Sequence, residues 1–276
     1  MKDKRYKIWN MRILSAVILI IFCLWQNNDI VVSDYIYKTK EIGRALDGFR
    51  IIQISDLHNK EFGKKSSRLL KVLAKAKPDI IVITGDLVDR RRTDIKAALE
   101  FIKRASELAP IYYVTGNHEY SLDRWEWDSL MDGLKKYQVR ILDNRIVHLE
   151  KNRDGGFYLM GLSEGNQADD TLKTLCSHAE ADKLQIVLTH EPQYIDSYRQ
   201  SDADIIFAGH AHGGQFRLPI LGGLIAPGQG IFPKYTSGAH RAGHTTLIIS
   251  RGLGNSVVPI RLFNRPEVVT VTLRRS

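Results

Sequence analysis

The sequence predicts an α/β fold, on three observations: short apolar runs recur along the chain, helix-like stretches separate the first three, and small clusters of Asp, Asn and His directly follow five of them. Residues 49–55 (FRIIQIS), 79–84 (DIIVIT), 111–115 (IYYVT), 184–189 (LQIVLT) and 204–208 (DIIFA) are rich in β-branched or aromatic side chains. They are too uniformly apolar to leave one face in water, which suits strands buried on both sides of a sheet. Residues 66–76 (SSRLLKVLAKA) and 94–108 (DIKAALEFIKRASEL) carry apolar side chains near helical spacing, with Ser66 and Asp94 where N-caps would sit. Strand, helix, strand in that order implies parallel pairing with right-handed crossovers. Residues 145–150, 157–161, 245–250 and 268–273 are further strand candidates, with 151–156 (KNRDGG) as a hairpin turn and 30–37 (IVVSDYIY) as an edge strand.

The five clusters are Asp56-Leu57-His58, Gly85-Asp86, Gly116-Asn117-His118, His190 and Gly209-His210-Ala211-His212. Each alone has a bland reading: Gly-Asp and Gly-Asn-His are ordinary turn sequences, and a lone histidine at a strand end is commonly a hydrogen-bonded structural group. His210 and His212 are more specific, because residues two apart in an extended segment share a face. As an ordered set at strand ends the clusters point to one site, since ligands bind beyond the carboxyl ends of strands in open α/β sheets. Carboxylate and imidazole hold divalent metals of borderline softness, so a two-metal hydrolase is the chemistry expected.

The motifs DLH (Asp56–His58), GDLVDR (Gly85–Arg90), GNHE (Gly116–Glu119), TH (Thr189, His190) and GHAH (Gly209–His212) resemble those of the calcineurin-like metallophosphoesterases. ISDLH near the start, and GQGIFPKY (228–235), SRGLG (250–254) and RPE (265–267) near the end, look most like the membrane-associated or exported bacterial branch of that family. The resemblance implies a four-layer sandwich of two mixed β-sheets flanked by helices. It also implies a first metal on Asp56, His58 and His212, a second on Asn117, His190 and His210, and Asp86 bridging both. Two divalent ions about 3.5–4 Å apart can share a hydroxide nucleophile and then clamp the phosphoryl oxygens, giving hydrolysis of a phosphoester, expected to be a diester. His118, which the family places beside the site without binding metal, is left as the catalytic residue that protonates the leaving oxygen or stabilises the phosphoryl group.

Glu119, Asp89 and Arg90 read as groups that orient the ligands. Arg251 is a candidate substrate contact, because a guanidinium can clamp two phosphoryl oxygens, with a structural role equally open. His148, His178, His240 and His244 fit no ligand pattern; the last two fall in a Gly-containing loop that could line the cleft. A donor set without thiolate admits Mn, Fe, Zn or Co, and the resemblance favours Mn.

Residues 13–25 (ILSAVILIIFCLW) follow Lys2, Lys4, Arg5, Lys7 and Arg12, and no small-residue cleavage site follows them. This predicts an uncleaved single-pass anchor over residues 1–26, a connector over 27–48 and a catalytic domain over 49–276. The positive flank places the N-terminus in the cytoplasm and the catalytic domain outside the membrane. The chain carries a net charge of +9, of which the first twelve residues supply +4 (five basic, one acidic). No Arg-rich or aromatic-interleaved stripe argues for a nucleic-acid partner. With only Cys23 and Cys176, no disulfide framework is expected. Residues 119–128, 164–171 and 216–241 are expected as loops capping the cleft, with Trp125 and Trp127 packed rather than exposed. A lipid or cell-envelope phosphoester is the expected substrate, with a tethered nucleotide or cyclic-nucleotide phosphodiesterase as the alternative.

Overall fold

The computed structural model describes residues 2–151, 155–165 and 168–276. The chain opens with helix α1 (Lys2–Asn28) and strand β1 (Val31–Thr39). Three strand–helix units follow: β2 (Arg50–Ile54), α2 (Ser67–Ala76), β3 (Ile80–Thr84), α3 (Ile95–Ala105), β4 (Ile111–Val114) and α4 (Arg124–Lys136). The second half comprises β5 (Arg140–Ile141), β6 (Arg145–Glu150), β7 (Gly156–Gly161), α5 (Ala168–Ser177), β8 (Gln185–Leu188), α6 (Ile195–Arg199) and β9 (Ile205–Ala208). Two small hairpins, β10 (Arg217–Leu218) with β11 (Gly222–Gly223) and β12 (Ile225–Ala226) with β13 (Gly230–Ile231), precede β14 (Gly238–Ala242), β15 (Thr245–Ile249) and β16 (Glu267–Arg275).

Two six-stranded sheets organise these elements, in the orders β1-β16-β2-β3-β4-β5 and β14-β15-β9-β8-β7-β6. The crossovers through α2 and α3 make β2, β3 and β4 parallel, and β7, β8, β9 and β15 are parallel in the second sheet. The antiparallel steps are β16–β2, β14–β15 and β6–β7. The turn joining β6 to β7 includes residues outside the described set.

Three apolar clusters define four layers. Ile51, Val82, Tyr112 and Val114 of the first sheet meet Leu159, Ile186, Phe207 and Ile248 of the second between the sheets. Leu69, Leu73, Phe101, Ile102 and Leu134 cover the outer face of the first sheet from α2, α3 and α4. Leu172, Leu175, Ile195 and Tyr198 cover the second from α5 and α6. This is the four-layer sandwich of mixed sheets expected above. One polar tie crosses the inner layer: buried Gln53 donates to Thr84 Oγ1 (2.9 Å) and to Ala208 O (2.8 Å) at the ends of β3 and β9.

Several local expectations are corrected. Asp94 caps α3 by accepting from Ala97 N (2.9 Å), but Ser66 has φ +54° and caps nothing with its side chain. Residues 119–128 are not an irregular cap loop, because a capping box between Asp123 and Glu126 starts α4 at Arg124. Trp125 lies 73% exposed on that helix, whereas Trp127 packs on Tyr120 with ring centroids 5.5 Å apart. His240 and His244 do not line the cleft: His240 is on the edge strand β14, and His244 sits in the turn before β15, at the end of the sheet opposite the strand termini that carry the clusters.

Candidate metal centre

Three of the five clusters leave their strands through left-handed turns. Asp56 (φ +51°), His58 (+48°), Asp86 (+54°), His210 (+63°) and His212 (+46°) all occupy the left-handed region. That region costs a non-glycine residue roughly 1 kcal/mol or more, and Asp and His are among the side chains that tolerate it. Backbone bonds lock the turns together: Asp56 N–H donates to Gly85 O (3.1 Å), His58 N–H to Asp86 O (3.0 Å) and Asn59 N–H to Leu87 O (3.1 Å).

Asp86 stands at the centre. Its Oδ1 accepts from His118 N–H (2.9 Å), which aims Oδ2 at His190 Nε2 (3.3 Å) on one side and His58 Nε2 (3.6 Å) on the other. On the first side His210 Nδ1 comes to 2.9 Å and Asn117 Oδ1 to 3.2 Å of His190 Nε2. On the second, His212 Nε2 lies 3.1 Å from His58 Nε2 and 3.4 Å from Asp56 Oδ1. The structure thus gathers all seven expected ligands into two donor groups that share Asp86.

Burial pushes Asp56 up to about 6, and would raise Asp86 too, but His190 and the other imidazoles hold Asp86 well below the usual carboxylate range. Burial drives His58 down to about 4 and His210 to about 3, and pushes His212 well below its ordinary value. Burial acts in the same direction on His190, where the Asp86 and Asp56 carboxylates prevail and raise it. Imidazoles held neutral keep their lone pairs free for a cation. In its neutral form His190 would donate Nδ1–H to Thr84 O (2.8 Å) and turn the Nε2 lone pair toward the centre. The close approach of nitrogen to nitrogen at two points, with carboxylates between, fits divalent ions at both groups.

His118 lies beside both groups, its Nε2 4.0 Å from Asp86 Oδ2. Its Nδ1 accepts from Arg90 N–H (3.0 Å), so the neutral ring carries its proton on Nε2, which faces Ser256 Oγ at 3.2 Å. Burial lowers its pKa and favours that neutral form. Glu119 is fully buried and pushed by burial up to about 7, yet accepts from Asp86, Val88 and Gly116 N–H groups, pinning two ligand turns. Asp89 Oδ1 accepts from the N–H groups of Arg91 and Arg92, closing the loop that carries Arg90. Arg251 Nη2 donates to Glu267 Oε1 (3.0 Å), a contact that holds the side chain beside the 251–264 segment.

Sequence reasoning missed Ser256, Arg261 and Asn264. Arg261 is 1% exposed and donates to Gly254 O (2.5 Å), Arg251 O (2.9 Å) and Asn255 Oδ1 (2.9 Å), holding the 251–264 segment over the centre. Asn264 donates to His212 O (2.7 Å). Nothing in their spacing marks them; only the fold brings them to the cleft.

Residues 49–214 match the calcineurin-like phosphoesterase family, a span that contains all seven donors and His118. YkuE of Bacillus subtilis (strain 168), an uncharacterized metallophosphoesterase, is 28% identical over 259 residues, covering 89% of this chain and 86% of the relative. The phosphodiesterase YaeI of Escherichia coli (strain K12) is 29% identical over 232 residues, covering 82% of each chain. The crystal structure of TT1561 from Thermus thermophilus shares the fold, with a TM-score of 0.50 at 13% identity over 75% of this chain and 90% of that one. A buried His/Asp centre at the strand ends of a two-sheet sandwich, inside a matched span of well over half the chain, makes this protein a metallophosphoesterase that belongs to the calcineurin-like phosphoesterase family.

Proposed function

We propose that the protein is a membrane-tethered, two-metal phosphodiesterase acting on a lipid or other cell-envelope phosphoester. The observation that carries this reading is the meeting of two donor groups at one carboxylate oxygen, Asp86 Oδ2. Asp56, His58 and His212 would hold one ion and Asn117, His190 and His210 the other, with Asp86 common to both. Manganese is the favoured occupant, and iron or zinc suits the same donors. When bound, such a pair supplies an activated water and positive charge against the phosphoryl oxygens.

The chain's own part is positional and electrostatic. His118 presents Nε2–H while Arg90 N–H occupies Nδ1, so the ring is set to donate a hydrogen bond to a phosphoryl oxygen. Glu119 and Asp89 hold the loops that place Asp86, His118 and Arg90. The diester preference draws support from YaeI, whose name is that of a phosphodiesterase.

The membrane assignment draws support from α1, whose residues Trp9–Asn28 are long and apolar enough to span a bilayer and are almost wholly exposed. With the basic flank at its N-terminus, the catalytic domain would stand on the extracytoplasmic side. The test is hydrolysis by the full chain in mixed micelles carrying either a lipid phosphodiester or a nucleotide phosphodiester, with Asp86→Asn as control. Preferential turnover of the lipid, lost in the variant, is expected. Preference for the nucleotide would replace the lipid with a soluble substrate.

A further inference from the structure

We infer that the loop formed by residues 255–263 is a second membrane contact, immersed in the same leaflet as the C-terminal end of α1, and that it seats the metal centre at the bilayer surface. The inference rests on the reading of α1 as a membrane span. It goes beyond that reading because a tether alone leaves the orientation of a catalytic domain free.

The geometry is a matter of depth along the helix. At 1.5 Å of rise per residue, Phe22 lies about 9 Å and Leu19 about 14 Å below Asn28, toward the middle of the span. The Phe263 ring packs edge-on against Phe22, with centroids 5.6 Å apart. Pro259 and Ile260 line a groove with Leu19, Ile20 and Leu24. A loop that touches the helix at those levels enters the bilayer wherever the helix does. Its exposed side chains suit that medium: Val257 is 64%, Phe263 50% and Ile260 43% exposed, and among the described residues nothing covers those faces.

Above this apolar layer lies a polar one. Asn27 Oδ1 accepts from Asn255 Nδ2 (2.9 Å) and Arg261 N–H (3.2 Å), while Lys60 Nζ donates to Asn27 O and Arg68 to Asn28 O (2.9 Å). Arg265 pairs with Asp29 (2.5 Å) and lies over the Trp25 ring at 5.2 Å. Basic side chains and an indole immediately above an apolar band are the layering that an anionic head-group region favours. The same loop begins beside the chemistry, where Ser256 Oγ meets His118 Nε2 at 3.2 Å. One loop therefore runs from the metal centre into the lipid, so a head-group phosphoester is the substrate brought to the site without leaving the leaflet.

The test uses the full chain with Cys23→Ser and Cys176→Ala, reconstituted in phosphatidylcholine/phosphatidylglycerol nanodiscs. A nitroxide is placed in turn at Ile18→Cys, Val257→Cys, Ile260→Cys and, as an aqueous control, Arg124→Cys. Collision with oxygen and with a water-soluble nickel chelate then reports depth at each position. We expect the labels at 257 and 260 to favour oxygen severalfold over nickel, as the label at 18 does, while that at 124 favours nickel. An aqueous signal at 257 and 260 beside a lipid signal at 18 overturns the loop contact and leaves the anchor standing. An aqueous signal at 18 as well removes the anchor and the inference with it. The labelled positions are exposed, and circular dichroism of each variant establishes that it has folded.

Discussion

On the proposed reading, Asp86 and His118 divide the work of the centre between an oxygen aimed by the backbone and a ring nitrogen aimed by a neighbour's N–H. Asp86 keeps Oδ2 free because Oδ1 is held by His118 N–H, so the same residue that flanks the reaction also orients the shared carboxylate. The bond from Arg90 N–H to His118 Nδ1 has a chemical consequence. A neutral ring already accepting at Nδ1 would become an imidazolate if it gave up its Nε2 proton fully, so a hydrogen bond to developing charge is the role it can fill. His118→Ala should therefore lower turnover by about 10²-fold, the usual effect of losing one such donor, without loss of bound metal. The deficit should be nearly the same for aryl phosphodiesters with good and poor leaving groups. A deficit that steepens as the leaving group worsens would show proton transfer instead. Steady-state kinetics across substituted aryl esters, with metal content measured by mass spectrometry, distinguishes the two.

The unit that carries the site is a buried strand, followed at Asp56, Asp86 and His210 by a left-handed turn. Its glycines are placed where another backbone comes close: a Cβ on Gly209 would fall 2.0 Å from Ser55 Oγ and 2.8 Å from Thr84 O. Gly209→Ala should push β9 away from β2 and β3 and displace His210 and His212. Activity is expected to fall by about 10²-fold, since ångström-scale misplacement of catalytic groups costs that much, while circular dichroism stays native.

At the opposite end of the same strand, Asp204 accepts from Gln185 N–H (2.8 Å), and burial pushes its pKa up to about 6. The folded chain therefore holds this proton through a pH range where the unfolded chain has released it. Stability from this group falls as pH rises from about 4 to about 6 and is level above that. Asp204→Asn keeps an oxygen acceptor and should flatten that part of the pH dependence, seen by comparing thermal unfolding midpoints of the two proteins at pH 4.5 and 6.5.

The strands, and the seven side chains that the fold gathers at their ends, were legible in the sequence because buried strands are apolar on both faces and the clusters follow them directly. Helix α4 was not legible, although its Asp123–Glu126 capping box can be read from the chain. Its buried face is thin, Leu130 and Leu134 with Gly133 between them, where a Cβ would come within 2.2 Å of Leu99 on α3. Small residues at a close helix crossing weaken the apolar pattern that marks a helix. Arg261 and Ser256 were hidden for a different reason, since their importance arises only when the chain after β15 folds over the cleft.

Across the whole molecule, two parallel-stranded halves bring their carboxyl ends to one line, and Gln53 ties β2 to the ends of β3 and β9 where the sheets meet. The first sheet supplies Asp56, His58, Asp86, Asn117 and His118 and the second supplies His190, His210 and His212, so neither half by itself holds either of the two expected donor groups. Both expected donor groups are complete only where the two sheets meet. This architecture leaves the outer helices free of catalytic duty, and in the proposed orientation the N-terminal helix, with the 255–263 loop beside it, would set how the cleft meets a bilayer.

The most direct test of the two-metal account is hydrolysis of bis-p-nitrophenyl phosphate by the full chain in detergent, measured with Mn²⁺, with EDTA and in Asp86→Asn. Metal-dependent turnover that EDTA abolishes and that Asp86→Asn lowers by about 10³-fold is expected, as for the loss of a group that supports both ions and the transition-state charge. Turnover that survives EDTA, or that Asp86→Asn leaves at the wild-type rate, would contradict a centre built around that carboxylate.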